Sequence, residues 1–283
     1  VRHSRLGSSG WRVAGSWDCS QNCIRVCTGS FRYGFETWEW RTDAPIRSHL
    51  FPLILSGCYR LVQLLGLDNT DWIVYAPRLY QSLVSAIFDY FLLKLNNLYN
   101  PGTNWVIILL NYTSWFSLAI MSRTCINSSE VMLLLVGFYL WNIRTKVWWA
   151  DSLSRLLAIF NFVLRGTSVL FWAVVWPYEL LSMKGSLFDR FKFLVKNGFT
   201  VVAMVGSSLL FAYWWYGSWQ FIEYNFYYVP WHVIQFNIKL QWSDLYGKFP
   251  FLAYFYVMLP YIYGGHLVYY VKGVKEVMGT KPN

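Results

Sequence analysis

Apolar residues gather in windows that are long enough for membrane-spanning helices, with short polar stretches between them. A helix that crosses a bilayer needs about 20 mainly apolar residues, and about seven windows qualify, although several are shorter or contain one polar residue. These windows cover residues 72–95, 105–121, 131–143, 153–164, 168–181, 199–216 and 251–271. Residues 50–67 are also apolar but contain Pro52, Gly57, Arg60 and Gln63, which favours an interfacial or re-entrant helix.

The composition supports a chain that is embedded in lipid. Of the 283 residues, 56% are hydrophobic, 21% are aromatic and 13% are charged. A soluble domain has about 25% charged residues, so this chain has too few to cover a surface in water. Tryptophan and tyrosine are enriched where a helix meets the two membrane interfaces. We therefore predict an all-α polytopic membrane protein and exclude both a soluble domain and a disordered chain.

The net charge of +10 comes from basic residues that are scattered singly. This pattern disfavours nucleic acid as a partner and fits loops that flank membrane spans. Threading the windows alternately through a bilayer puts most basic residues after Trp72 on one side. The basic residues after Trp72 that fall on the other side are Arg123, Arg165, Lys239 and Lys248. The positive-inside rule makes the first side cytoplasmic and the second side luminal or extracellular.

The start of the chain does not fit this threading. The first fifty-odd residues are rich in arginine, yet they fall on the luminal side, and residues 1–10 lack the apolar core of a signal peptide. Either another span precedes this segment, or its length exempts it from the charge rule. We expect residues 1–30 to be an incomplete or divergent N-terminal segment.

An aromatic patch near the start has the composition of a sugar-phosphate site. Glu39 stands between Trp38 and Trp40, and Arg47 follows a few residues later. A tryptophan ring can cover a sugar face, and an arginine can bind a phosphate through paired hydrogen bonds. The alternative interpretation is an aromatic anchor at the membrane interface.

A second group of polar residues lies between two apolar windows, at residues 122–130. Arg123, Asn127 and Glu130 are spaced by four and three residues, so on a helix they would share one face and could form one hydrogen-bonded site. A solvated turn is the alternative. Arg165 also lies between two apolar runs, where a charge either has a function or a buried partner, or reaches out to the interface.

Several other classes of site have no support in the sequence. There is no phosphate-binding glycine loop, no H-E-x-x-H and no G-x-S-x-G motif. Cys19, Cys23 and Cys27 recur at every fourth residue, unlike the closer pairs of zinc sites, and no histidine lies among them. No metal ion is therefore expected.

The order and spacing of many short motifs carry a family resemblance. These motifs are Tyr33-Gly34, Thr37 to Trp40, Ile46-Arg47-Ser48, Pro77-Arg78-Leu79, Ser122-Arg123-Thr124, Asn127, Glu130, Arg165, Tyr216 to Trp219, Phe236-Asn237, Leu245-Tyr246-Gly247, Pro250, Pro260 and Gly264 to Leu267. In this order, they resemble glycosyltransferase family 22, the dolichyl-phosphate-mannose-dependent mannosyltransferases of the endoplasmic reticulum. The resemblance covers about residues 30 to 275.

The resemblance implies a GT-C-type helical bundle with about seven or more spans. It places the transmembrane mannosyltransferase domain at residues 31–275 and a cytoplasmic tail at residues 276–283. Family members transfer mannose with inversion on the luminal side, from dolichyl-phosphate mannose to a lipid-anchored glycan. The implied function is addition of α-1,2-linked mannose to a glycosylphosphatidylinositol (GPI) precursor in the endoplasmic reticulum membrane. The alternatives are an N-glycan precursor as acceptor, or a catalytically impaired relative that binds lipid.

The resemblance also implies roles for individual residues. The family's catalytic base comes from an Asp-Glu pair upstream of the Thr-Trp-Glu-Trp stretch, where this chain has Asp18 beside Trp17. Asp18 is therefore the candidate base. The candidate substrate-binding residues are Trp38, Glu39, Arg47, Arg123, Asn127, Glu130, Arg165, Asn237 and Tyr246. The implied partners are membrane lipids, dolichyl-phosphate mannose as donor and a glycolipid acceptor, with no additional cofactor.

Overall fold

A computed structural model describes residues 47–67, 70–216, 250 and 252–279. The regular secondary structure within these ranges is helical throughout. The helices are α1 (Leu50–Leu64), α2 (Thr70–Tyr99), α3 (Asn104–Thr113), α4 (Trp115–Met121), α5 (Ile126–Ile143), α6 (Ala150–Leu164), α7 (Val169–Ser182), α8 (Leu187–Tyr216), α9 (Leu259–Tyr263) and α10 (Leu267–Gly279). Short 3-10 helices lie at Gly166–Ser168 and Gly264–His266, and a π-helix covers Tyr254–Met258. The all-α prediction is confirmed for these residues.

Two of the predicted windows are divided into separate helices. The window at residues 105–121 is broken at Ser114, whose backbone is extended and whose hydroxyl accepts a hydrogen bond from the Ser117 N–H at 3.3 Å, so that it caps α4. The window at residues 251–271 is broken at Gly264, which has a φ of 52° and ends α9. Only glycine adopts such a positive φ without strain. α10 then runs across the predicted domain boundary at residue 275.

Helix α8 begins twelve residues before the predicted window at residue 199, because a local motif starts it at Leu187. The Ser186 N–H and hydroxyl both donate to the Asp189 carboxylate at 3.0 Å, and the Asp189 N–H donates back to the Ser186 hydroxyl at 3.3 Å. This reciprocal pattern satisfies backbone donors that a helix start leaves open. Two described helices are long and apolar enough to cross a membrane, at Ile126–Ile143 and Leu187–Trp214.

The centre of the bundle is an antiparallel pair, α5 and α6, covered by α7 and α8. The Ser154 hydroxyl donates to the carbonyl oxygen of Gly137 at 2.8 Å across the pair. A Cβ on Gly137 would lie 3.2 Å from the Trp172 ring, so the glycine permits a close approach of α7. The buried core of this region contains Trp141, Ala158, Phe162, Trp172, Trp176 and Met204.

A second core defines one end of the bundle, which we call the Arg165 end. Leu50 and Phe51 of α1 pack there with Leu164, the last residue of α6. Tyr80 of α2, Ile126 of α5 and Phe211 of α8 pack against them. The Arg165 end therefore unites the first turns of α1 and α5, the last turn of α6 and the C-terminal part of α8.

The opposite end, which we call the Arg144 end, is held by ion pairs. Arg144 follows α5 and pairs with Glu179 of α7. Asp151, in the first turn of α6, pairs with Arg155 and with Lys196 of α8. These ion pairs join α5 to α7 and α6 to α8 at the Arg144 end.

The outer surface of α7 is apolar, although α7 also contributes two tryptophans to the core. Leu170, Val174, Tyr178 and Leu181 are between 67% and 81% exposed and follow one another at intervals of about one helical turn. A contiguous apolar stripe of this kind is uncommon on a protein in water and is typical of a surface that faces lipid or another apolar partner.

Candidate functional site

The polar run before and within α5 connects this helix to α2. The Ser128 hydroxyl donates to the Gln81 side-chain oxygen at 2.9 Å, and the Ser129 and Tyr80 hydroxyls lie 2.9 Å apart. Gln81 also donates to the carbonyl oxygen of Met121 at 2.8 Å. Because Ser128 and Ser129 are fully buried, the solvated-turn interpretation of this run is wrong for them.

The same run also binds α6 and the segment after it, through a cluster that consists of Asn127, Glu130, Arg165 and Thr167. We call it the Glu130 cluster. One carboxylate oxygen of Glu130 accepts from Nη1 of Arg165 at 3.0 Å, and the other accepts from the Thr167 hydroxyl at 2.8 Å. Nη1 of Arg165 also donates to the side-chain oxygen of Asn127. The Glu130 side chain is only 11% exposed and that of Arg165 is 37% exposed.

The end of α6 explains how Arg165 reaches α5. Its backbone leaves the helix in an extended conformation, with φ −154° and ψ 115°, while its N–H still donates to the Asn161 carbonyl at 2.8 Å. The Asn161 side chain donates to the backbone carbonyl of Glu130 at 3.1 Å, which fixes α6 against the start of α5. The 3-10 turn that follows brings Thr167 to the same carboxylate. Arg165 thus has a nearly buried partner, one of the outcomes that its sequence position predicted.

The predicted shared helix face holds for Asn127 and Glu130 but is wrong for Arg123. α5 begins at Ile126, because Cys125 has an extended backbone with φ −139° and ψ 153°, so Arg123 precedes the helix. The side chain of Arg123 is exposed. It still lies at the Arg165 end, since the hydroxyl of the neighbouring Thr124 donates to the Pro77 carbonyl of α2 at 3.1 Å.

Arg47 is a third cation at the Arg165 end. It is exposed and lies three residues before Leu50, which packs against Leu164 in the second core. His49, between them, is buried, and burial lowers its pKa from 6.5 to about 4 because the charged imidazolium loses its hydration. His49 is therefore neutral near pH 7 and adds no charge to this end.

Five predicted site residues, Asp18, Trp38, Glu39, Asn237 and Tyr246, lie outside the described residues. Among those described, Arg165, Asn127 and Glu130 are in direct contact, and Arg47 and Arg123 lie at the same end of the bundle. Sequence reasoning missed Thr167 and Gln81. The signal for Gln81 was available, because a polar side chain inside an apolar window needs a partner.

The fold and the site together define a class: a helical membrane protein that has an arginine paired with a nearly buried carboxylate at one end of its bundle, where Arg47 and Arg123 also lie. Comparison with known families then identifies the particular family. Residues 22–277 match the Alg9-like mannosyltransferase family, so the chain belongs to this family of membrane glycosyltransferases.

Named relatives share most of the chain. It is 28% identical to human GPI alpha-1,2-mannosyltransferase 3 over 245 residues, and this alignment covers 86% of this chain and 42% of the human protein. It is 31% identical to the Arabidopsis thaliana mannosyltransferase APTG1, over 80% of this chain and 40% of that protein. For GPI mannosyltransferase 3 of Yarrowia lipolytica, the identity is 32% over 89% of this chain and 47% of that protein. The chain thus spans less than half the length of these relatives. No solved structure gives a significant match.

Proposed function

We propose that the chain is an α-1,2-mannosyltransferase, or the part of one, that moves mannose from dolichyl-phosphate mannose to a GPI precursor. The names of its human, zebrafish and Yarrowia relatives support a GPI acceptor, and those of the human and zebrafish relatives also support the α-1,2 linkage. The family supports mannose transfer in general. The proposed location is the endoplasmic reticulum membrane, with about seven spans and the Arg165 end facing the lumen.

The observation that carries this proposal is the state of Arg165. A guanidinium has five N–H donors in a planar fork, which suits a phosphate. Within the described ranges, only Nη1 of Arg165 is engaged by side-chain acceptors, those of Asn127 and Glu130. The donors on Nη2 and Nε, on a side chain that is 37% exposed, can therefore bind the phosphate of a lipid-linked sugar.

The chemistry of inverting transfer explains why such a cation matters. The acceptor hydroxyl attacks the anomeric carbon of mannose, the bond from that carbon to the phosphate oxygen breaks, and dolichyl phosphate leaves with the bonding electrons. Negative charge therefore grows on the leaving phosphate in the transition state. A fixed guanidinium stabilises that charge, and a base such as Asp18 takes the proton of the attacking hydroxyl.

Arg47 and Arg123 complete the proposed anion site. Both are exposed at the end of the bundle where Arg165 lies. Three cations at one end of the bundle raise the local concentration of an anionic lipid headgroup. Trp38, Glu39, Asn127, Asn237 and Tyr246 are the proposed contacts to the sugars of donor and acceptor.

The test is mannose transfer by membranes that contain the chain. Radiolabelled dolichyl-phosphate mannose is supplied with either a GPI precursor or an N-glycan lipid precursor, and the lipid products are separated. We expect label in the GPI precursor alone. Label in the N-glycan precursor would show that this precursor, and not the GPI precursor, is the acceptor. Label in neither would reject the enzyme activity in favour of a lipid-binding relative.

A further inference from the structure

We propose that Glu130 is a positioning residue, which holds the Arg165 guanidinium so that its remaining donors, on Nη2 and Nε, meet the phosphate of a polyprenyl-phosphate sugar. This inference rests on the proposed function, because it assigns a role to a neighbour of the proposed phosphate contact. It also changes the role expected from the sequence, in which Glu130 itself touches the substrate.

The first argument is that both carboxylate oxygens of Glu130 are already engaged and that little of its side chain is exposed to a sugar. Its two carboxylate oxygens accept from different groups, Arg165 Nη1 at 3.0 Å and the Thr167 hydroxyl at 2.8 Å. Its side chain is 11% exposed, whereas that of Arg165 is 37% exposed. The carboxylate is therefore the inner member of the pair and the guanidinium is the outer one.

The second argument is that the carboxylate is itself fixed from several sides. Its helix turn is bound to α2 through Ser128 and Ser129, and the Glu130 backbone carbonyl accepts from Asn161 of α6. Thr167 holds the oxygen that Arg165 does not use. A group that is fixed in this way transmits its geometry to the flexible arginine that it binds.

Positioning and simple charge neutralisation predict opposite effects. If Glu130 acted only as a countercharge, its removal would leave the positive charge of Arg165 uncompensated, and an anionic lipid would bind more tightly. If Glu130 positions Arg165, its removal frees the guanidinium to adopt other rotamers, and the lipid binds more weakly. The sign of the change in affinity therefore separates the two roles.

Two substitutions at the same position sharpen the comparison. Glu130→Ala removes both hydrogen bonds. In Glu130→Gln, the amide oxygen can accept from Arg165 while the amide nitrogen donates to the Thr167 hydroxyl, so both contacts can persist without the negative charge. Positioning therefore predicts that the glutamine variant retains most of the affinity that the alanine variant loses.

The experiment measures the dissociation constant of a short-chain polyprenyl phosphate for the whole chain in lipid nanodiscs. We expect Glu130→Ala to weaken binding about tenfold and Glu130→Gln to stay within about threefold of the unmodified chain. The matched control is Glu179→Ala, which breaks a Glu–Arg pair at the other end of α5 and should leave the dissociation constant unchanged.

The outcomes separate this inference from the proposed function. An alanine variant that binds as tightly as the unmodified chain, or more tightly, overturns positioning, as does equal weakening by alanine and glutamine. An unmodified chain that does not bind the lipid phosphate overturns both proposals. Binding without mannose transfer leaves positioning supported and removes only the enzyme activity.

Thr167→Val provides a second measurement in case Glu130→Ala does not fold. Thr167 is exposed, and its hydroxyl donates to the carboxylate oxygen that Arg165 does not use. Positioning predicts that folded Thr167→Val binds the lipid phosphate about threefold or more weakly than the unmodified chain. Unchanged or tighter binding by Thr167→Val overturns the inference.

Discussion

Replacing Arg155 by leucine tests how the Arg144 end joins α6 to α8. Arg155 is 8% exposed, so its charge is compensated inside the bundle. Nη1 donates to Asn197 at 2.6 Å and to Thr200 at 3.0 Å, and Nε donates to both carboxylate oxygens of Asp151 at 3.3 Å. These contacts connect one turn of α6 to one turn of α8.

The magnitude follows from what remains when the guanidinium is removed. Asp151 keeps its ion pair with Lys196, and the Thr200 hydroxyl keeps its hydrogen bond to the Lys196 carbonyl at 2.9 Å. The side-chain oxygen of the buried Asn197 loses its charged donor. Breaking a buried pair costs about 3–5 kcal/mol when a charge is left uncompensated, and since Asp151 stays paired we expect about 2–4 kcal/mol for Arg155→Leu.

The assay is the free energy of unfolding in mixed detergent micelles, measured for each variant at one detergent composition. Lys192→Leu is the control, because Lys192 is an exposed cation on the same stretch of α8, and it should change stability by less than about 0.5 kcal/mol. The double variant Arg155→Leu with Asn197→Leu should lose less than the sum of the two single losses, because it leaves no unpaired partner. Additive losses, or an unaffected Arg155→Leu, would refute this account of the α6–α8 contact.

Three further predictions concern the core and the Arg165 end. Gly137→Leu should lower the melting temperature by several degrees, and by more than Gly198→Leu does. The reason is that a Cβ at Gly137 lies 3.2 Å from Trp172, whereas nothing lies within 4 Å of a Cβ at Gly198. Equal decreases for the two variants would contradict the close α5–α7 contact. The pKa of His49 is lower in the folded chain than in the unfolded chain, so the free energy of unfolding is highest above pH 6.5 and falls as the pH is lowered. It should fall by about 2 kcal/mol between pH 7.5 and pH 5, and His49→Gln should reduce this dependence on pH. Gln81→Leu should lower the free energy of unfolding by about 1–3 kcal/mol, because the buried Gln81 side chain makes two hydrogen bonds, and calorimetry that shows no loss would argue against the α2–α5 contact.

The sequence predicts helices well in this chain because long apolar windows have few alternatives. It does not predict where they break, since the breaks depend on single residues such as Ser114 and Gly264. It also places the start of α8 too late. The pattern of apolar residues weakens before residue 199, whereas the cap formed by Ser186 and Asp189 begins the helix earlier.

The candidate site is predicted in composition more than in connectivity. Charged and amide residues at the edges of apolar windows identify Asn127, Glu130 and Arg165, because such groups need partners near a membrane. Which groups pair depends on the extended backbone of Arg165, which one sequence does not encode in an obvious pattern. The extended backbone of Cys125 has no obvious sequence pattern either, so the sequence does not show that α5 begins only at Ile126, after Arg123.

The most direct test of the central claim compares two arginines in the mannose-transfer assay. Arg165 and Arg144 each follow a central helix and each pair with a glutamate on a neighbouring element, but at opposite ends of the bundle. At equal amounts of folded protein, Arg165→Gln should lower kcat/KM for dolichyl-phosphate mannose about 100-fold, and Arg144→Gln should remain within about threefold. Equal activities of the two variants would contradict a phosphate site at the Arg165 end.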